Sequence, residues 1–308
     1  MTTSSAPAIP AQPSIRRSSG RVPELEDPLN HYVYHPLAFR LARLLQPTGT
    51  SPNAVSAASG GLVCMAAILY TCVAWPFGAL AGFACHLTWH VADGADGDLA
   101  RLTGKASPIG EFVDGAADYL GHVVLYVLLA AMLDDTFIGL WAWPLASLAG
   151  ASRIVQSNHT ETQRREFLWR VYGIPWLRTQ QTAGGQAFAG RGWLSRTSAR
   201  IVRGYLVLGE SMAPYSAPLD RLIEAASGDA DRLADMRRRI RQASRGSLLF
   251  QKGLGANPRT ILLGCSMIAG TALWYFLIES LVLNIVLAVS VAYHNTVERR
   301  LYAALSER

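Results

Sequence analysis

The stretch DGADGDLARLTGKASPIGEFVDGAAD, residues 93–118, places five aspartates between apolar runs of membrane length. Ionised carboxylates beside hydrocarbon are costly and mark a functional site by default. Asp93, Asp96, Gly97, Ala100 and Arg101 stand at relative positions 0, 3, 4, 7 and 8, which puts them on one face of a helix running from Phe77 through Arg101. Asp98 falls off that stripe. After a turn containing Gly104 and Lys105, Ser107 and Pro108 supply a cap and a first residue for the next helix. There Gly110, Asp114 and Asp118 recur every four residues, again on one face. The connection is short, so the two helices are expected to pack antiparallel with these faces opposed. Four carboxylates around one cavity would repel one another, and hard divalent cations relieve that repulsion. The plainer alternatives are pairing with arginines or the lining of an ion path.

Working outward, the chain has 308 residues, half of them hydrophobic, with a net charge of +6. Apolar runs at Val55–Trp75, Phe77–Ala92, Tyr119–Leu133, Ile138–Val155, Thr260–Ile278 and Leu281–Tyr293 predict six spanning helices, the last two joined at Glu279–Ser280. A buried all-α soluble core is the competing reading. The turns around Trp75–Phe77, Leu133–Phe137 and Glu279–Ser280 carry no Lys or Arg, so both termini are expected in the cytoplasm. Trp75, Trp141 and Trp143 fall at the outer boundary, as an aromatic belt would. Cys64, Cys72, Cys85 and Cys265 all lie in apolar runs, without metal-ligand spacing, and predict no disulfide framework. No cleavable signal peptide is expected, because residues 1–30 hold no apolar core.

Residues 1–30, rich in Ser, Pro and Ala, read as a disordered cytoplasmic tail. Residues 31–158 then hold an N-terminal interfacial amphipathic helix and the first four spans. In that interfacial helix Leu37, Leu41, Leu44 and Leu45 share a face away from Arg40 and Arg43. Ser51 and Pro52 start the first span. Residues 159–256 form a basic insertion with 16 basic and 8 acidic side chains. Within it, Leu233, Met236 and Ile240 recur at helical spacing beside four arginines, to meet anionic lipid or to pack on their own domain. Gln181–Gly192 reads as a flexible loop. Residues 257–308 carry the last two spans and a C-terminal tail.

The ungapped pattern D-x2-D-G-x2-A-R-x8-G-x3-D-x3-D resembles the signature of the CDP-alcohol phosphotransferases, also called CDP-alcohol phosphatidyltransferases. Eight fixed positions within 26 residues make the match specific. The resemblance extends to the interfacial helix, the Ser51-Pro52-Asn53 helix start and the six-span layout, and it does not cover the insertion.

This resemblance implies an enzyme of phospholipid biosynthesis, a transferase that moves a phosphoryl-alcohol group from a CDP-alcohol such as CDP-diacylglycerol to a hydroxyl acceptor, releasing CMP. It implies Mg²⁺ or Mn²⁺, two ions, held by Asp93, Asp96 and Asp114, with Asp118 completing the site and serving as catalytic base. Gly97, Ala100, Arg101 and Gly110 would form the CDP-donor region. Inositol, inositol phosphate and glycerol phosphate are among the acceptors to consider. The reverse assignment, a CDP-linked head group donated to a lipid hydroxyl, uses the same motif. A divalent-cation transporter is the reading from another class, although the acidic cluster keeps to one membrane edge.

For the acceptor pocket the candidates are Arg153, His90 and His86. His86 and His90 share the stripe of Asp93 and either line that pocket or are satisfied by neighbouring helices. They do not form a zinc pair, since no third ligand has recognisable spacing. Arg153 either holds an anionic group or marks the end of the fourth span, with Gln156 and His159 extending any polar pocket. The expected setting is a bacterial inner (plasma) membrane with the site facing the cytoplasm. The partners are the bilayer, the CDP-activated substrate and the acceptor, with no nucleic acid, and the resemblance implies a homodimer.

Overall fold

A computed structural model describes residues 22–174 and 193–307, and all regular structure among them is helical. The long helices are α1 (His35–Leu45), α2 (Pro52–Cys72), α3 (Phe77–Leu102), α4 (Pro108–Asp134) and α5 (Ala142–Tyr172). They are followed by α6 (Trp193–Met212), α7 (Ser216–Ala225), α8 (Ala230–Ala243), α9 (Arg245–Gly253), α10 (Ala256–Ile268) and α11 (Leu273–Ser306). The predicted caps form: Ser51 Oγ accepts from Ala54 N at 3.2 Å, and Ser107 Oγ accepts from Gly110 N at 3.0 Å. Both hydroxyls satisfy amides that an α-helix leaves without internal partners.

The main core is built from Val63 and Tyr70 of α2, Trp89 of α3, Leu125 and Leu129 of α4, Ala146 and Ala149 of α5, Leu263 of α10, and Tyr275 and Phe276 of α11. Glycine lets α2 and α4 touch at their backbones. A Cβ at Gly60 would lie 2.8 Å from the Ala117 carbonyl oxygen, and one at Gly121 would lie 2.9 Å from that of Gly60. This close crossing holds α4, and with it Asp118, against the first two bundle helices.

Three helices, Pro52–Cys72, Phe112–Asp134 and Leu273–Ser306, are long and apolar enough to cross a membrane. That is fewer than the six spans expected. α3 and α5 carry charged and polar residues along one end, and α10 has only 13 residues. The bundle surface is apolar: Leu120, Val123, Val127, Val289 and Ile285 are exposed on its sides. Trp75, Phe77, Phe137 and Trp141 are exposed at the α2–α3 and α4–α5 turns. Apolar side chains exposed in such numbers require an apolar surrounding.

Three expectations are corrected. The break between the last two bundle helices is not at Glu279–Ser280. It falls at Ala269–Ala272, where Gly270 adopts φ 89° and Thr271 N bonds back to Ser266 O at 3.1 Å. Glu279 lies inside α11, at a π-helical turn (Ile278–Val282), and is fully buried.

Residues 22–30 are not part of a disordered tail. Val22 packs with Phe167, Leu168 and Leu248, and Asp27 accepts from Asn257 Nδ2 at 2.8 Å. Residues 1–21 lie outside the described residues, as does the Gln181–Gly192 loop.

In α1 the protein-facing stripe is Ala38 and Ala42 with the partly buried Leu41 and Leu45, packed on Val55, Ala95 and Leu99. Leu37 and Leu44 are exposed, so the four leucines are divided between two environments. Small residues win the contact face because they let α1 approach α3 closely.

The region 159–256 opens inside α5, which continues unbroken to Tyr172. Leu233, Met236 and Ile240 are buried against Leu219, Ile223 and Leu305. The apolar face of α8 is therefore covered by helices of its own chain and is not offered to a membrane.

Candidate active site

The opposed faces of α3 and α4 bring Asp93, Asp96 and Asp114 together, with one carboxylate oxygen of each within 4.8 Å of the others. Ser56 of α2 donates to Asp96 Oδ2 at 2.6 Å. Trp89, one turn before Asp93, donates its indole N–H to Asp118 Oδ1 at 2.8 Å. His122 donates Nδ1–H to the Asp118 carbonyl, also at 2.8 Å, and packs edge-on against Trp89. Asp98 is buried and accepts from Arg101 Nη2 at 2.6 Å, so it orients the guanidinium and does not join the carboxylate cluster.

Three cavities meet these residues. One of about 120 Å³ is lined by Asp96, Gly97, Ala100, Arg101, Gly110 and Asp114, together with Lys105, Asn53 and Ser56. A second, polar cavity of about 300 Å³ is lined by Asp93, Asp118, His90, Arg164, Lys252 and Asn257. A third, of about 470 Å³ and mostly apolar, runs from Asp118, Trp89, Arg153 and Arg259 past Val123 and Val127 to Ala130 and Trp143. Asp118 borders both the second and the third. The aspartates thus divide into Asp96 and Asp114 toward the first cavity, Asp93 toward the second, and Asp118 toward the second and third.

Residues 49–168 match the family model of CDP-alcohol phosphatidyltransferase. They form a CDP-alcohol phosphatidyltransferase domain. Members of that family are CDP-alcohol phosphotransferases, transferases of substituted phosphate groups. No curated protein and no solved structure matches the chain. The transferase family acts on CDP-alcohols and hydroxyl acceptors in membranes and generally uses a divalent metal. The match of residues 49–168 and the three apolar helices together suggest an integral membrane protein. The carboxylate cluster fits such an ion in donor chemistry, since hard oxygen ligands gather from two helices.

The site draws on groups inside the matched segment and on Arg259 from beyond it. Arg259 of α10 borders the large cavity, donates to Gln156 Oε1 at 2.6 Å and pairs with Glu279 at 3.1 Å. Arg153 borders the same cavity, with Nη1 3.4 Å from the Tyr275 hydroxyl. His90 lines the polar cavity, stacks on Tyr34 and bonds Thr260 Oγ1 at 2.9 Å. His86 is not among the residues lining these cavities and packs behind them against Trp89 and His122. Gln156 and His159 are buried away from the cavities, Gln156 on Arg259 and His159 on Ser290.

Glu161 lies at the polar mouth shared by the two larger cavities. Burial would raise its pKa, but the charges and hydrogen bonds of Arg164 and Arg165 outweigh that and hold it at about 2. It therefore neutralises part of the positive charge there.

Trp89, Arg259, Asp98 and Glu279 were not singled out from sequence for the site. Asp98, Arg259 and Glu279 carried a signal, as ionisable residues in or beside apolar runs.

Proposed function

We propose that the chain transfers a phosphatidyl group from CDP-diacylglycerol to the hydroxyl of a small polar alcohol, releasing CMP. The observation that carries this reading is the position of the carboxylate cluster, between a small cavity lined by Gly97, Ala100 and Arg101 and the cavities that expose Asp118. A donor nucleotide on one side and an acceptor on the other would meet at the aspartates.

Gly97 and Ala100 leave space for cytidine beside α3, while Arg101 and Lys105 offer charge to its phosphates. Asp93, Asp96 and Asp114 would hold Mg²⁺ or Mn²⁺, with Asp118 completing the set. When bound, the metal neutralises charge on the pyrophosphate oxygens. Asp118 takes the proton from the acceptor hydroxyl, and the Trp89 indole fixes the orientation of that carboxylate. Arg153 and Arg259 supply positive charge in the large cavity and favour an acceptor or donor bearing an anionic group. The apolar length of that cavity suits an acyl chain.

In the proposed topology α3, α5 and α10 complete a six-helix bundle in a bacterial inner membrane. The site faces the cytoplasm, as the placement of basic residues in the turns supports. A homodimer is proposed from the family resemblance alone.

The deciding experiment incubates purified protein with CDP-diacylglycerol, Mg²⁺ or Mn²⁺ and a panel of alcohols, and follows CMP. CMP release that depends on one alcohol supports the reading. Release only from a CDP-linked head group with diacylglycerol would reverse the donor and acceptor. No CMP from any CDP-alcohol would sink it.

A further inference from the structure

The polar cavity that Asp93 and Asp118 line is also walled by residues from outside the matched segment. Among them are Asn30, which opens a π-helical turn (Asn30–Tyr34), and Asn257, in the first turn of α10. Asp27 holds both. Its Oδ1 accepts from the backbone N–H groups of Leu29 and Asn30, at 3.0 and 3.1 Å. Its Oδ2 accepts from Asn30 Nδ2 at 2.7 Å and from Asn257 Nδ2 at 2.8 Å. An ionised carboxylate only accepts, so each amide turns its NH₂ to Asp27 and its carbonyl oxygen away. Among the described residues neither carbonyl oxygen has a hydrogen-bond partner, and both stay accessible.

A third group in this wall is Lys252, half-buried, whose side chain has no partner among the described residues. An amide carbonyl needs a donor and an ammonium group needs an acceptor; a hydroxyl is both. A cationic amino alcohol would be repelled by Lys252. A single-hydroxyl alcohol, with that hydroxyl at the aspartates, would leave both carbonyls unfilled. The volume of about 300 Å³ stands at the lower end of small-ligand sites, so the occupant is compact.

Given transfer to a hydroxyl acceptor as read above, we propose that this cavity binds the acceptor and that the acceptor is a polyol. Asn30, Asn257 and Lys252 read its non-reacting hydroxyls. Asp27 is a positioning residue that fixes the two amides.

Binding is measured first, without donor, by thermal stabilisation of the full chain in detergent with Mg²⁺. Inositol, inositol phosphate, glycerol and glycerol phosphate are compared with cyclohexanol, 1-propanol and ethanolamine. At least one polyol should bind about tenfold or more tighter than the three comparison compounds. Asn257→Ala should weaken that polyol about tenfold, the scale of one lost hydrogen bond, and leave the affinity for a labelled CDP-alcohol unchanged. Asn30→Ala should do the same and serves if Asn257→Ala does not fold. A purely structural role would move both affinities or neither. Polyols that bind no better than the comparison compounds overturn the proposal, as does an unchanged polyol affinity in the folded variants. CMP release is then followed on the same preparations. Polyol binding that the variants lose, with no CMP from the unmodified chain, would keep the subsite and remove the transfer reading. Polyol-dependent CMP release with the same acceptor KM in the variants would do the reverse.

Discussion

Arg259 Nε donates to Glu279 Oε1 at 3.1 Å, and both side chains are buried where two apolar helices meet. The pair spans α10 and α11, and Arg259 borders the large cavity beside Asp118. Glu279 thereby sets where a positive charge stands in the site. Breaking one side of such a pair strands the other charge, which costs about 3–5 kcal/mol. Glu279→Ala should destabilise the protein by that order in thermal unfolding in detergent, while the exposed Asp135→Ala should leave it unchanged. Equal stability of the two variants would remove the pair from the account.

Asp118→Asn should lose turnover while a CDP-donor still binds, because the amide cannot accept a proton yet fills the same space. Product formation and binding of a labelled CDP-alcohol are measured on the same preparation. Turnover equal to that of the unmodified chain would end the assignment of Asp118 as base.

Gly97 separates fold from function. A Cβ there would meet Arg101 Nη1 at 3.5 Å, an ordinary contact, so Gly97→Ala should fold with modest change. Gly97→Leu would push into the small cavity and should raise the KM for the CDP-donor by about tenfold or more, the scale of a lost contact or a steric conflict of ~1.4 kcal/mol. An unchanged KM would place the nucleotide elsewhere.

Chelation should abolish transfer, and Mg²⁺ or Mn²⁺ should restore it. Asp93→Asn and Asp96→Asn should each shift the metal concentration needed for half-maximal rate upward. Full activity in excess chelator would exclude the aspartates as an essential metal site.

Arg153 and Arg259 share one cavity. A hydrogen bond from a charged group contributes about 1.5–3 kcal/mol, roughly a ten- to hundredfold change in affinity. For a phosphate-bearing acceptor, Arg153→Ala should raise the acceptor KM on that scale and leave donor KM unchanged. A donor KM that moves instead would assign Arg153 to the donor.

The all-helical architecture and the aspartate constellation were both legible in the chain, for a local reason. Helical periodicity states which residues share a face, and Ser51-Pro52 and Ser107-Pro108 state where two helices begin. Glu279 was misread because a charged residue after an apolar run resembles a turn. Its burial in a helix needs Arg259, 20 residues earlier and on another helix. Leu37 and Leu44 were grouped with Leu41 and Leu45 because periodicity alone does not say which side of α1 meets α3.

By itself, then, the sequence determined the two striped helix faces, their short antiparallel connection and the chemistry that four aspartates imply. Tertiary structure alone decided that Trp89 holds Asp118, that Arg259 and Glu279 pair at the cavity, and that Glu166 meets His294 and Glu298. Facing carboxylates three and four residues apart follow from 3.6 residues per turn. Partners separated by 20 to 132 positions follow only from how close-packed helices choose which faces to bury.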